Sequence, residues 1–398
     1  MTRCKTGLQM PKPFIIGLED SVEDSAAMTT DEVYKAVGHN TGNLAFHFAI
    51  KKILGRSIET TSLTPAGRRV ESFGDIGVLP CANQVGAHSD LGKTAETVSK
   101  LDCSLVSIGL GAQSDPKFEK IPAVPDGTIR WIKEIAKRSP KGKPNISVRG
   151  PFTKQVLDHY GAGENAVVLG CPTLFINPDP RLGNTIAERA KRSSFDRVCV
   201  ASAHHAWKHM TRLETSLTRI MAATDGSYIV QSPIEMIAMA RGDWNGIPES
   251  TVESMRLFTA PELTTEEFKR WSFRYARAFM NISAWMEYLR SYDLVVGARI
   301  HGVMLALQAG VPGLCIAHDS RTRELCETMM VPYVMLSDVS AGIRRDQLPD
   351  LFKFDAEAFN AHRRELGAKF ATFLSDNDLA PVAEFAPLLG TRAPELVG

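Results

Sequence analysis

Neither sign of charge dominates this chain: 46 lysines and arginines face 45 aspartates and glutamates, a formal net charge of +1. No overall positive field is present to hold nucleic acid, so any anion site has to be built locally. The seven cysteines, Cys4, Cys81, Cys103, Cys171, Cys199, Cys315 and Cys326, include no CxxC pair. Several sit in apolar strand-like runs such as RVCVAS and GLCIAH. That is the pattern of reduced, buried thiols in the cytosol, not of disulfides or structural zinc. The N-terminus has no continuous apolar stretch of the secretory kind. No run of about 18 apolar residues occurs, so no membrane span is expected. GxGxxG and the Walker pattern GxxxxGK[ST] are both missing, so neither a dinucleotide nor an ATP site is read. The expected location is the cytoplasm.

What is present is a long alternation of short apolar strands and amphipathic helices. The 398 residues exceed one ordinary core and suit two domains. DIGVLPCANQ, CSLVSIGLGAQS, NISVRGPFTKQVLDHYG and NAVVLGCPTLFI each read as a strand running into a loop, with helices between them. This βα pattern is that of a doubly wound parallel sheet. Residues 177–196 are polar and proline-containing and read as an interdomain connection. A second series follows in RVCVAS, SYIVQSPIEMIAMA, YDLVVGARIHGVMLALQAG, VPGLCIAHDSRTRELCE and PYVMLSD. TEEFKRWSFRYARAFMNISAWMEYLRS reads as one long aromatic-rich helical region. The expected architecture is α/β. Two Rossmann-like domains, 1–178 on the acceptor side and 179–346 on the donor side, face a cleft. A helical segment, 347–398, packs back on the first domain. In such folds the ligand lies beyond the carboxyl ends of the strands.

The loops at those strand ends carry the candidate residues. GARIHG places Arg299 and His301 at a helix start between Gly297 and Gly302, a compact anion-binding corner. The same pattern fits an arginine paired with a carboxylate and a histidine capping the helix. HDSRTREL offers Asp319, Arg321, Arg323 and Glu324 at the neighbouring strand end; a solvated ion-pair cluster is the alternative. SVRGPF supplies Arg149 from the first domain. CANQVGAHSD brings Asn83, Gln84 and His88, whose polar groups can hydrogen-bond sugar hydroxyls or simply shape a loop. SAHHAWKHM gathers His204, His205, Lys208 and His209. No acidic ligand is near and HExxH is absent, so no metal is expected.

Together, SVRGPFTKQVLDHYG, VVLGCPTLFI and SYDLVVGARIHGVMLALQAGVPGLCIAHDSRTRELCE resemble the polysaccharide pyruvyl transferase family. Its mark is RxHG at a strand end, then a helix of small residues and a glycine-valine-proline stop. TGNLAF and IGLGAQ resemble its N-terminal half, although the family often carries asparagine-glycine-aspartate where this chain has Gly42-Asn43-Leu44. The resemblance implies a fold like that of B-type glycosyltransferases. It implies transfer of pyruvate from phosphoenolpyruvate to two sugar hydroxyls as a cyclic ketal, with no other cofactor. It makes His301 the catalytic histidine. Arg299 and Arg149 become donor ligands, with Gly302 and Arg321 beside them. Asp75 is the candidate first-domain acid, and with Asn83, Gln84, His88 and Glu324 it makes up the acceptor side.

The chemistry suits these residue types. Phosphoenolpyruvate carries a carboxylate and a phosphate, which arginines on two sides of a cleft bind bidentately. A histidine can deliver the proton that the methylene or the departing phosphate needs. The acceptor is a sugar of a glycan, a lipid-linked intermediate or a nucleotide sugar; a lipid-linked acceptor would place the protein at the inner face of the membrane. The oligomeric state is not legible. Two rival functions fit the same fold. One is a B-type glycosyltransferase using a nucleotide sugar, with Glu324 on the ribose and Arg299 and His301 on the diphosphate. The other is a carbohydrate-binding protein without turnover.

Overall fold

The computed structural model describes residues 11–115, 117–191 and 194–390. Cys4 lies outside them. The strands of the first half are β1 (Pro13–Ile16), β2 (Thr60–Thr61), β3 (Ile76–Pro80), β4 (Ser104–Leu110), β5 (Ile146–Val148) and β6 (Ala166–Val168). They form one parallel sheet in the order β2-β1-β3-β4-β5-β6. Those of the second half are β7 (Val198–Ala201), β8 (Ser227–Ile229), β9 (Ala276–Arg277), β10 (Leu294–Gly297), β11 (Gly313–Ala317) and β12 (Tyr333–Met335). Their order is β12-β11-β10-β7-β8-β9, again all parallel. Counted from its own first strand this is 3-2-1-4-5-6, the dinucleotide-fold order. The order reverses between β1 and β3 in one sheet and between β7 and β10 in the other. A doubly wound sheet opens a ligand crevice at that point.

The second sheet follows from its sequence. VCVA, LVVG and GLCIA are apolar throughout because helices cover both faces, and every residue in them is buried. Leu294 pairs with Val198, and Val295 with both Cys199 and Gly313, so β10 is central. Its core runs without a break into the face of the first sheet that carries the helix Asn43–Leu54. The other face of the first sheet has its own core, built on Val98, Trp131, Ile132 and Val156.

Three features depart from the sequence expectation. The connection at 177–196 contains a helix, Leu182–Ala190, because Leu182 and Ile186 repeat at helical spacing and are buried. The aromatic-rich region is two helices, Thr265–Tyr275 and Ile282–Leu289, with β9 between them. Two residues are too few to show strand alternation. The N-terminal strands β1 and β2 and the helix Thr30–Ala36 also lie outside that reading. Beyond residue 347, the helix Ala356–Asp376 crosses the junction between the halves. Its Arg363 donates to the carbonyls of Leu174, Asn177 and Asp179, and Asn377 just after it donates to Pro144 O. Among the described residues no helix is long and apolar enough to cross a membrane.

Candidate active site

A small cavity, open at its mouth, lies between the carboxyl ends of the two sheets. The first domain supplies Asn40 and Asn43 from the turn that leads from the helix Thr30–Ala36 into the helix Asn43–Leu54, Asn83 from beyond the end of β3, and Arg149 from the end of β5. The second supplies Gln231 after β8, Arg299 and His301 after β10, and Arg321 and Thr322 after β11. Three arginines thus line it, and none of the described residues lining it is acidic.

Local structure explains why these groups converge. The helix Thr265–Tyr275, away from the cavity, is closed by a capping box between Thr264 and Glu267. The helix Ile300–Gln308 has Arg299 at its N-cap and no side-chain cap. The helix Asn43–Leu54 has Gly42 there and none either. No side chain caps the first turn of the helix Ile300–Gln308, whereas in Asn43–Leu54 the N–H groups of Asn43, Leu44 and Ala45 donate to the carbonyls of Asn40, Thr41 and Gly42; both helix dipoles favour negative charge at that end.

Each arginine is held differently. Arg149 is 2% exposed; it donates Nε to Gly109 O at 2.9 Å and a terminal nitrogen to Cys81 O at 3.3 Å. Burial, with Arg321 beside it, lowers its guanidinium. Arg299 donates to the Ser232 hydroxyl at 3.1 Å and lies 4.9 Å over the Trp207 ring. Burial and the nearby Arg321 bring it down to about 10. Arg321 is 3.3 Å from Asp319, whose other oxygen caps the helix Ser320–Met329 through Thr322 N. The Nε atoms of Arg299 and Arg321, Nε2 of Gln231 and Oγ1 of Thr322 are buried without a hydrogen-bond partner among the described residues. Buried donors of this kind are costly unless a ligand meets them.

His301 sits among these cations. Its Nε2 is 3.8 Å from Cys171 Sγ, and its ring packs 5.5 Å from that of Phe46. Burial, then Arg149, Arg321 and Arg299, hold its imidazole well below the usual histidine range. It is therefore a neutral base until an anion arrives.

The structure brings Arg149, Arg299, His301, Arg321 and Asn83 together. Other sequence candidates stand elsewhere. Gly302 does not line the cavity; a Cβ there would lie 3.0 Å from Gln231 Nε2, so its smallness makes room for that amide. Glu324 is buried, and both its oxygens accept from Thr153, from the backbone N–H and the hydroxyl, each at 2.7 Å. It caps the first-domain helix Pro151–His159 across the domain interface instead of facing an acceptor. Asp75 precedes β3 at the amino end of the sheet, opposite the cavity, and accepts from Lys12 N at 2.7 Å. Gln84 turns back onto Ala82 N, and exposed His88 meets the Asn83 carbonyl. His204 and His205 lie beyond Arg299, with His204 packed on Trp207. No group of three His, Cys, Asp or Glu able to hold a metal occurs among the described residues. Asn40, Asn43, Gln231 and Thr322 went unread in the sequence. The asparagines stand in the glycine loop already noticed, but the amide after β8 carries no motif.

Two solved structures show distant likeness. One is a UDP-GlcNAc 2-epimerase from Methanocaldococcus jannaschii, in complex with UDP-GlcNAc and UDP. It is 10% identical, with a TM-score of 0.42 over 90% of this chain and 99% of that one. The other is a UDP-N-acetylglucosamine 2-epimerase from Rickettsia bellii. It is 10% identical, with a TM-score of 0.43 over 93% of this chain and 97% of that one. No curated protein sequence matches the chain. The family model of polysaccharide pyruvyl transferases matches residues 40–320, a span that begins at the cavity's Asn40 and ends just past the β11 loop that leads to Arg321. The chain belongs to the polysaccharide pyruvyl transferase family.

Proposed function

We propose that the protein transfers pyruvate from phosphoenolpyruvate to two hydroxyls of one sugar, forming a cyclic ketal and releasing phosphate. The observation that carries this reading is the cavity with Arg149, Arg299 and Arg321 around His301 and no acidic lining residue among the described residues. Such a site prefers a compact ligand with several negative charges over a neutral sugar alone.

Each step uses a group at hand. One hydroxyl oxygen bonds to the enol carbon as the methylene takes a proton and becomes methyl. The C–O bond to phosphate then breaks, and the arginines stabilise the charge on the leaving group. The second hydroxyl adds to the same carbon and loses its proton to the departed phosphate. His301, neutral in the protein alone and protonated once the anionic donor is bound, gives its proton to the methylene and takes the one that the attacking hydroxyl loses. The bound anion favours the charged imidazole that this transfer starts from. The acceptor is a sugar of a glycan or of a glycan precursor.

Nucleotide-sugar transfer would need a group for the ribose. Glu324, the candidate for that contact, has both oxygens committed to Thr153. The test is incubation with phosphoenolpyruvate and a panel of methyl glycosides and lipid-linked sugars. The expected product is heavier than the acceptor by one pyruvate less one water, with free phosphate released. Release of nucleoside diphosphate from a nucleotide sugar, with no phosphate from phosphoenolpyruvate, would replace this reading.

A further inference from the structure

Gln231 is the cavity residue whose construction the reading above leaves unused. It is 1% exposed, lines the cavity, and its Nε2 has no hydrogen-bond partner among the described residues. Two glycines leave space for its amide. A Cβ on Gly42, from the first-domain loop, would come within 2.3 Å of Gln231 Oε1. A Cβ on Gly302, from the His301 helix, would stand 3.0 Å from Nε2. The backbone is fixed too, because Thr41 N donates to Gln231 O at 3.1 Å across the cleft. The amide is therefore held in place from both domains.

The polar groups around the cavity differ in kind. Arg299 stands at the start of the helix Ile300–Gln308, whose Gly302 adjoins Gln231, and it donates to the hydroxyl of Ser232, the residue next to Gln231, at 3.1 Å. One guanidinium is thus tied to the chain beside the neutral amide. Arg149 stands on the opposite wall, and Arg321, at the start of the helix Ser320–Met329, acts on both Arg149 and Arg299. A carboxylate monoanion matches Arg299 with the amide, and a phosphate dianion matches the two remaining guanidinium groups.

We infer that Gln231 is a donor-specificity residue that, with Arg299, binds the carboxylate of the enolpyruvyl group, while Arg149 and Arg321 take its phosphate. This assignment rests on the proposed donor. It makes the carboxylate an element of recognition and separates phosphoenolpyruvate from phosphate esters without one.

The experiment measures affinities of phosphoenolpyruvate, pyruvate and inorganic phosphate by calorimetry, the weak ligands by competition. Gln231→Leu is expected to weaken phosphoenolpyruvate and pyruvate about tenfold, the loss of one hydrogen bond to a charged group. Phosphate affinity should stay within about twofold, since a removed amide leaves the other anion lobe intact. Gln231→Asn, which withdraws the amide with less change of packing, should show the same selectivity at an unchanged melting temperature. Equal weakening of phosphate and phosphoenolpyruvate in both variants would overturn the assignment of Gln231 to the carboxylate. So would unchanged phosphoenolpyruvate affinity in both. Wild-type protein that binds phosphate but neither phosphoenolpyruvate nor pyruvate would overturn the donor itself.

Discussion

An imidazole buried among three arginines stays neutral near neutral pH, because burial and like charge both oppose its protonation. His301 is in that position. A multiply charged anion placed against it reverses the balance, so its pKa is higher in the complex than in the protein alone. Between those two values, binding must take up a proton. Donor affinity therefore rises as pH falls through the higher value, and levels off below the lower one. Calorimetry of phosphoenolpyruvate binding in buffers of different ionisation enthalpy is expected to show this uptake in the wild type. His301→Gln should abolish it and lower turnover by roughly 10²–10⁴-fold, the usual size of a general acid–base contribution. Equal uptake in His301→Gln would assign the proton to another group. Arg299→Ala, by contrast, should lower donor affinity first, since its charge binds rather than transfers a proton.

At the scale of the element, helix ends decide what is available to a ligand and what is locked. The start of the helix Pro151–His159 is closed from the other domain by Glu324. Glu324→Ala removes that cap and leaves the Thr153 N–H and hydroxyl without their partner. The expected cost is about 1–3 kcal/mol, read as a lower urea midpoint at unchanged slope. The helix Asn43–Leu54 carries a different liability. His47 is buried, its Nδ1 2.9 Å from Asn43 O, and burial lowers its imidazole to about 4. The unfolded chain binds this proton below its ordinary value of 6.5, but the folded protein resists it until about pH 4. Stability is therefore lost as pH falls through that window, by up to ~3 kcal/mol from this one group. His47→Gln should flatten the acid limb of a stability–pH curve; an unchanged limb would mean other groups set it. The contrast between these two helices also shows what the sequence made legible. The strand-end loops bearing Arg149, Arg299, His301 and Arg321 were readable, because buried parallel strands are continuous apolar runs that stop at glycine or polar residues. Thr153 and Glu324 are 171 positions apart, and only tertiary packing makes them partners. Gln231 is silent for a similar reason. An amide after a strand has no spacing signature until Gly42 and Gly302 close around it.

At the scale of the molecule, the site exists only while the two sheets keep their angle. Arg149 comes from one wall and Arg299 and Arg321 from the other, so a small rotation separates the anion-binding groups. Residues 174–179 carry the chain from the first sheet toward the second, and Arg363 of the helix Ala356–Asp376 clamps them. It is fully buried and donates to Leu174 O at 3.2 Å, Asp179 O at 2.9 Å and Asn177 O at 2.6 Å. Burial lowers its guanidinium to about 10, so it stays charged at neutral pH. Arg363→Met keeps much of the volume but leaves three carbonyls without their donor, at a cost of about 3 kcal/mol. The effect should reach the site, although Arg363 does not itself line the cavity. Phosphoenolpyruvate at 100 times its dissociation constant should stabilise the wild type by about 2.7 kcal/mol. In Arg363→Met the same donor concentration should raise the melting temperature less, because part of the binding free energy goes into restoring the domain angle. A variant that melts lower yet gains as much from the donor as the wild type does would show that the clamp supports the fold alone and leaves the cleft geometry to the direct ties between the walls, Thr41 to Gln231 and Thr153 to Glu324.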